Sequence, residues 1–485
     1  MPEQTNISNK AISGVFWKFL ERIGCYAINF IVQIILARIL LPEDYGIIAI
    51  VTIFLLISDV FIKNGLTTAL IQHKDPTQID YSSVFYSNII FSLFLYTILY
   101  FSAPLISDFF SNSILVSVTR VISISIIIGS IGAVHYARLT RSLNFKKTFI
   151  VNLISILVQG CVGIVLAIND FGVWALVYSN LARYMTMLII VLLIVKWWPS
   201  FTFSYVHVRI LFRYSSKILG SSLLNTIYNN FQTIVIGKFF TNSMLGYFQR
   251  GQVIPQTVMI AVDGSLEEVM YPTYSRMQNE KERMVSALRR TVQVSMYITM
   301  PMMAALFMMS EPLTVILLTD KWLKSVPFMQ LQCLICIYWP LSSINHAVNA
   351  IGKSSVGLKI NLISKILTII FVLLCVPLGA YAIMAASLIT TNITLIFISS
   401  RFYKKYLGYG LKDICKDILP SIYISVIIAS CLYLINLLLE GNNYLIIFSI
   451  QALMAVIIYI MWSMISHNNS FDFLYKKLRL ILYHK

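Results

Sequence analysis

The chain has 485 residues, of which 58% are apolar and only 12% charged, and its mean hydropathy is +0.79. A soluble domain carries about a quarter charged residues, so this composition excludes an ordinary soluble fold and defines an integral membrane protein. A net charge of +17 raises nucleic acid as a partner, which only the placement of the basic residues can decide.

Windows of about 20 largely apolar residues, the length that spans a bilayer, predict helices over 12–37, 46–70, 82–103, 113–134, 147–168 and 172–195. A break over 196–209, with Trp197, Trp198 and Pro199, precedes predicted helices over 210–236, 244–270, 288–310, 328–351, 355–376 and 379–400. A basic linker leads to 418–440 and 443–465, making fourteen predicted transmembrane helices in an all-α fold. The first apolar segment is full length and is followed by many more, unlike a cleaved secretory signal, so the N-terminus is expected to be retained. Seven cysteines, an odd number, lie mostly inside apolar runs, and no disulfide framework is implied. Cys333 and Cys336 form a C-x-x-C without a second pair or a histidine set at metal spacing, so packing is the expected role and neither metal nor cofactor is expected.

Loops on the N-terminal side of the membrane hold Arg138, Arg141, Lys146, Lys147 and the basic stretches 276–290, 401–416 and 476–485. The opposite loops hold Arg38, Lys238, Lys321 and Lys324. The positive-inside rule then predicts both termini in the cytoplasm. The basic excess is accounted for by topology and anionic lipid headgroups, so nucleic acid is not an expected partner. After Ser470, Leu474, Leu478, Ile481 and Leu482 alternate with Lys476, Lys477 and Arg479, a pattern that suits a surface-lying amphipathic helix as well as a solvated tail.

The sequence also repeats internally. A shift of 200 places Arg38 on Lys238, Gly46 on Gly246 and Asn29 on Asn229. Val151-Asn-Leu-Ile-Ser155 recurs as Ile360-Asn-Leu-Ile-Ser364, and Phe171-Gly-Val-Trp-Ala-Leu176 recurs in character as Leu378-Gly-Ala-Tyr-Ala-Ile383. Two six-helix lobes are expected, 1–200 and 201–405, related by a pseudo-twofold axis along the membrane normal, with 406–485 adding a helix pair and a basic tail.

Charges at bilayer depth are costly and usually face a cavity or a partner. Lys18, Arg22, Lys63, Arg120, Arg183, Lys217, Arg250 and Lys365 fall inside predicted spans, against the acids Glu21, Asp59 and Asp263, with Glu267 and Glu268 near a helix end. In the first helix Lys18, Arg22, Cys25, Asn29 and Gln33 share one face, and in the seventh Ser222, Asn225, Asn229 and Gln232 do, with Lys217 before them. Simpler readings stand beside a cavity. Asp59 and Lys63 form an i, i+4 pair able to neutralise itself, Lys18, Lys217 and Lys365 are near enough to the cytoplasmic end to snorkel, and Asn or Gln stripes also join helices. The expected cationic cavity is Arg22, Arg183, Arg250, Lys18 and Lys217 with Asn29 and Asn229, and Asp59 and Asp263 are the candidate coupling carboxylates. Surplus cations partly removed from water suit an anionic cargo, and a diphosphate-linked lipid fits. Pro255, Pro301 and Pro340 inside spans of the second lobe are expected to kink or loosen its helices.

Further stretches carry a family resemblance: Leu36-Ala-Arg-Ile-Leu-Leu-Pro-Glu-Asp-Tyr-Gly46, Ile57-Ser-Asp-Val-Phe-Ile-Lys-Asn-Gly65, Leu245-Gly-Tyr-Phe-Gln-Arg250, Tyr271-Pro-Thr-Tyr-Ser-Arg-Met-Gln278 and Asp320-Lys-Trp-Leu-Lys324. In these the chain resembles the polysaccharide transporter family of Wzx and WzxC-like flippases, in the superfamily that also holds the MATE exporters and the MurJ lipid II flippases. The resemblance implies a MurJ-like fold, alternating access, and movement of an undecaprenyl-diphosphate-linked oligosaccharide from the cytoplasmic to the periplasmic leaflet for O-antigen, capsule or exopolysaccharide synthesis. It further implies a groove for the lipid tail in the last two helices, and as partners the membrane lipids, a polysaccharide polymerase and other assembly proteins. No MATE ion site matches this sequence.

Two rivals belong to other classes. A MATE-like antiporter of small cations calls for an acidic cleft, whereas the one expected here is basic. A membrane-embedded polysaccharide polymerase or ligase usually needs a large outer loop, and the longest expected here is 311–327. No DxD, G-x-S-x-G or metal-spaced His and Cys set occurs.

Overall fold

The computed structural model describes residues 2–142, 144–278 and 280–466. The predicted amphipathic tail beyond Ser470 lies outside them. Among the described residues the structure is helical, without a strand. The helices of the first half are α1 (Pro2–Ile39), α2 (Pro42–Gln72), α3 (Gln78–Phe110), α4 (Ile114–Arg141), α5 (Phe145–Ile168) and α6 (Val173–Val195). Then come α7, made of Tyr205–Asn229 and Phe231–Phe239, α8 (Asn242–Arg276) and α9 (Lys281–Met308). The last are α10, made of Val326–Cys336 and Ser342–Ala350, with α11 (Ser354–Leu374), α12 (Ala380–Leu407), α13 (Leu411–Leu438) and α14 (Tyr444–Ile465).

Every predicted span is helical, and among the described residues ten helices are long and apolar enough to cross a membrane, namely α2 to α6, α9 and α11 to α14. The others are interrupted or polar for visible reasons. In α10 Pro340 occupies a 3-10 turn, Trp339–Leu341, because its ring lacks the N–H that a continuous helix needs. In α7 the backbone breaks at Asn230 (φ −101°, ψ 4°), and α8 carries Gln249, Arg250, Gln252 and Gln256. Pro301 sits inside α9 as expected, and Pro104 places a proline inside α3 of the first half too.

Local sequence sets the helix starts. Pro42 opens α2, where its fixed φ suits the first turn, and the Asp44 carboxylate accepts from the Leu41 N–H at 3.0 Å. At α3 Thr77 and Asp80 cap reciprocally, Thr77 N–H donating to Asp80 Oδ2 at 2.7 Å and Asp80 N–H to Thr77 Oγ1 at 3.4 Å. Large apolar side chains such as Phe101 and Leu105 on α3 and Leu453 and Met464 on α14 point outward, as helices bathed in lipid require.

The chain divides into two compact units, Met1–Gly246 and Tyr247–Lys485. In the first unit α7 packs against α2 and α3, and His207 on α7 pairs with Asp80 on α3. Packing thus places α7 with the first six helices, whereas the repeat places it at the head of 201–405. Ser92 and Ser130 join α3 to α4 at 2.8 Å, the small-residue contact that lets membrane helices approach closely.

Gly46 and Gly246, which the repeat aligns, meet in this unit. A Cβ on Gly46 would stand 1.9 Å from the Asn242 carbonyl oxygen, and a Cβ on Gly246 1.9 Å from that of Pro42. Each glycine lies against the backbone of the other helix's first turn, a reciprocal contact, and no residue with a side chain fits there.

In the second unit α13 packs along α9. Asp417 of α13 is the hub of that contact. It accepts from Arg289 Nε at 2.9 Å and Nη2 at 3.0 Å, from Gln293 Nε2 at 2.9 Å and from the Tyr409 hydroxyl at 3.0 Å. Burial, with the Asp417 carboxylate beside it, pushes the Tyr409 phenol above its usual range, so it stays a donor. Further along, the Tyr297 hydroxyl meets Ser463 of α14 at 2.6 Å. Cys333 and Cys336 are buried in an apolar cluster with Met259 and Met303.

Candidate functional site

A charged cluster sits in the first unit where α2 changes its winding. Lys63–Thr67 form a π-helical turn, and Gly65 leaves helical geometry (φ −79°, ψ −121°). The hydroxyls of Thr67 and Thr68 bond back to the carbonyls of Ile62 and Lys63, each at 2.8 Å, and Asn88 of α3 donates to Thr67 at 3.1 Å. The irregular turn is therefore satisfied by neighbouring side chains, and such turns are frequent at functional sites.

One helical turn before this point Asp59 accepts from Lys63 Nζ at 2.6 Å, its own exposure 23% against 59% for Lys63. Tyr184 of α6 donates to the same Asp59 oxygen at 3.4 Å. Tyr184 is seated over Gly129 of α4, where a Cβ would come within 3.3 Å of the phenol ring. Half-buried Arg183, next to Tyr184 in sequence, acts electrostatically on both Lys63 and Tyr184. Among the described residues no ion pair ties Arg183 to a carboxylate. Asp59 is already matched by Lys63, so the charge of Arg183 is surplus. A guanidinium in that position can take phosphate oxygens through two N–H groups at once.

The structure thus brings Asp59 and Arg183 of the predicted set together, joined by Lys63 and by Tyr184, which the sequence reading did not single out. Asn29 is half-buried on α1, while Lys217 and Asn229 are exposed on α7. Arg250, in the second unit, is buried at 8% exposure. The side chains of Lys18, Arg22 and Asp263 lie outside the described residues. The acid of the first helix, Glu21, is engaged by α5: Asn152 donates to it at 2.7 Å and Thr148 at 3.3 Å.

The second unit contains a cavity of about 450 Å³ between α10, α11 and α12, lined among others by Tyr338, Trp339, Asn345, Asn361, Thr394 and Tyr403. Among the described residues no charged side chain lines it. Its wall includes a second π-helical turn, Thr394–Ser399. Among the described residues no group of His, Cys, Asp and Glu is arranged to hold a metal.

An all-helical membrane protein with a polar, π-distorted site in each unit has the build of a transporter rather than of a membrane anchor. The family model described as polysaccharide biosynthesis protein matches residues 35–327, more than half of the chain, and the chain belongs to that family. It is 28% identical over 349 residues to the succinoglycan biosynthesis transport protein ExoT of Rhizobium meliloti (strain 1021), covering 70% of this chain and 69% of that one. It is 17% identical over 448 residues to the lipopolysaccharide biosynthesis protein WzxC of Escherichia coli (strain K12), covering 90% of each. Among solved structures, the inward closed conformation of the lipid II flippase MurJ superposes with a TM-score of 0.73 at 16% identity, covering 94% of this chain and 99% of that one. At that identity the likeness establishes the fold, and it is the MurJ-like fold expected from the sequence.

Proposed function

We propose that the chain is a flippase that carries an undecaprenyl-diphosphate-linked oligosaccharide from the inner to the outer leaflet of the bacterial inner membrane, by alternating access of the lobes 1–200 and 201–405. The observation that carries this reading is the surplus cation at the α2 turn, with Arg183 held beside a self-compensated Asp59–Lys63 pair. The names of the relatives, a succinoglycan transport protein and a lipopolysaccharide biosynthesis protein, support the same cargo class.

In this reading Arg183 binds the diphosphate, with Arg22, Arg250, Lys18, Lys217, Asn29 and Asn229 as further cavity groups. Lys63 pairs with Asp59, and release of that pair offers one route to ion coupling; Asp263 is the other carboxylate to test. Both termini face the cytoplasm, the loops at Arg138 to Lys147 and Arg401 to Lys416 supplying the positive side. Outward movement of roughly two negative charges across an inside-negative membrane is favoured by about 2.3 kcal/mol per charge per 100 mV, so the membrane potential drives the step if the protein's cations stay behind. The exported unit is then available to a polysaccharide polymerase.

The test is transport by the purified chain in proteoliposomes, with a fluorescent undecaprenyl-diphosphate oligosaccharide and a small organic cation offered in parallel. Movement of the lipid-linked sugar, faster under an imposed potential of the stated sign, is the expected result. Movement of the cation alone would overturn the reading in favour of an antiporter.

A further inference from the structure

We infer that the cavity of the second unit receives an uncharged saccharide of the cargo, separately from the charged site of the first unit. The inference rests on the reading of the chain as an exporter of a lipid-linked oligosaccharide and adds to it a place for the sugar.

Four observations lead to this assignment. The volume of about 450 Å³ lies in the range of small-molecule sites. Among the described residues the lining contains no Lys, Arg, His, Asp or Glu, so a diphosphate would be stripped of water there without a counter-charge, which is strongly unfavourable. The polar groups present are of both kinds. Asn345 accepts from the Tyr403 hydroxyl through Oδ1 at 3.0 Å, which leaves its amide N–H groups as donors, and the Tyr338 hydroxyl donates to Asn392 at 2.7 Å, which leaves its lone pairs as acceptors. Sugar hydroxyls, each at once donor and acceptor, need that mixture, and the rings of Tyr338 and Trp339 offer apolar area for the C–H face of a pyranose.

The fourth observation is Thr394. Its Oγ1 is buried and has no hydrogen-bond partner among the described residues, in a residue only 5% exposed. Its neighbours Thr390 and Thr391 bond back one turn, to the Ala386 carbonyl at 2.9 Å and the Ser387 carbonyl at 2.7 Å. Thr394 opens the π-helical turn and does not take that route. Thr394 lines the cavity, and its unmatched hydroxyl, buried beside that space, is a cost that a ligand hydroxyl removes once the side chain turns toward it.

The experiment uses the full chain in proteoliposomes with two fluorescent cargos on the same lipid diphosphate, one bearing a neutral oligosaccharide and one bearing no sugar. Wild type is compared with Thr394→Val, which keeps the side-chain size, and with Asn361→Leu at an exposed position. The expected result is a fall of about tenfold in the ratio of glycosylated to bare transport, the size of roughly one lost hydrogen-bonding contact, while the thermal unfolding midpoint of Thr394→Val holds or rises. An unchanged ratio in both variants, whether the two rates stay the same or fall together, overturns the sugar site and leaves the exporter reading intact. Wild type that moves neither cargo overturns the exporter reading, and the inference with it.

Discussion

In the first unit Asn152 donates to Glu21 at 2.7 Å and to the Tyr136 hydroxyl at 3.1 Å, whereas Asn361, its counterpart in the repeated stretch of the second unit, lines a cavity. The charges differ in the same sense. The first unit keeps Asp59, Lys63 and Arg183 at its irregular turn, while the second places its buried pair, Arg289 and Asp417, between α9 and α13. The same sequence stretch thus joins helices in the first unit and lines a space in the second, and charge stands at the polar site in one and in a clamp in the other. Charge thus stands at an irregular turn in the first unit and between two packed helices in the second.

The largest effect that sharpens this contrast is expected from Asp417→Ala. Removing one partner of a buried pair costs about 3–5 kcal/mol, and the lower end applies because Arg289 is 37% exposed. Asp59→Ala should lose less than about 1 kcal/mol, being half of an i, i+4 pair with a well-exposed lysine. Thermal unfolding in detergent compares the two, and equal losses would erase the distinction. Next, Gly46→Ala and Gly246→Ala should each cost about 1–3 kcal/mol by forcing helix backbones apart, and a loss at one position only would break the reciprocity of the contact. Asn152→Leu should cost about 1–3 kcal/mol because Glu21 loses a donor, against less than about 0.5 kcal/mol for Asn361→Leu at an exposed position. The smallest effect concerns alkaline pH. The Tyr409 phenol is held up in the folded chain, so its contribution is complete below the unfolded value of about 10 and fades as pH rises beyond it. Tyr409→Phe should flatten that part of the alkaline stability curve, and a curve identical to wild type would remove Tyr409 from the clamp's titration.

Much of this fold is written in local pattern. Apolar length gave the helices and Pro340 the break in α10, whereas the close approach of Gly46 and Gly246, aligned by the 200-residue shift, was not legible as a contact. Asp59 and Lys63 were legible because their spacing lies on one helix face. Partners that only tertiary packing supplies were not. Arg289 and Asp417 are 128 positions apart, and Tyr184 reaches Asp59 across 125, although its place beside Arg183 was a usable signal. The π-helical turn of α2 depends on hydroxyls and a neighbouring helix that no hydrophobic period encodes, and the orphan hydroxyl of Thr394 and the cavity around it have no signature in the sequence.

The central claim, that surplus positive charge in the first unit binds the diphosphate, is tested most directly at Arg183. Initial rates of flipping of a fluorescent undecaprenyl-diphosphate oligosaccharide would be measured in proteoliposomes for wild type, Arg183→Gln and Arg183→Lys at one imposed potential. The account predicts a loss of about tenfold or more for glutamine, the scale of one charge-assisted hydrogen bond, with partial recovery for lysine, which keeps the charge without the two-pronged geometry. A glutamine variant that flips at the wild-type rate would contradict it.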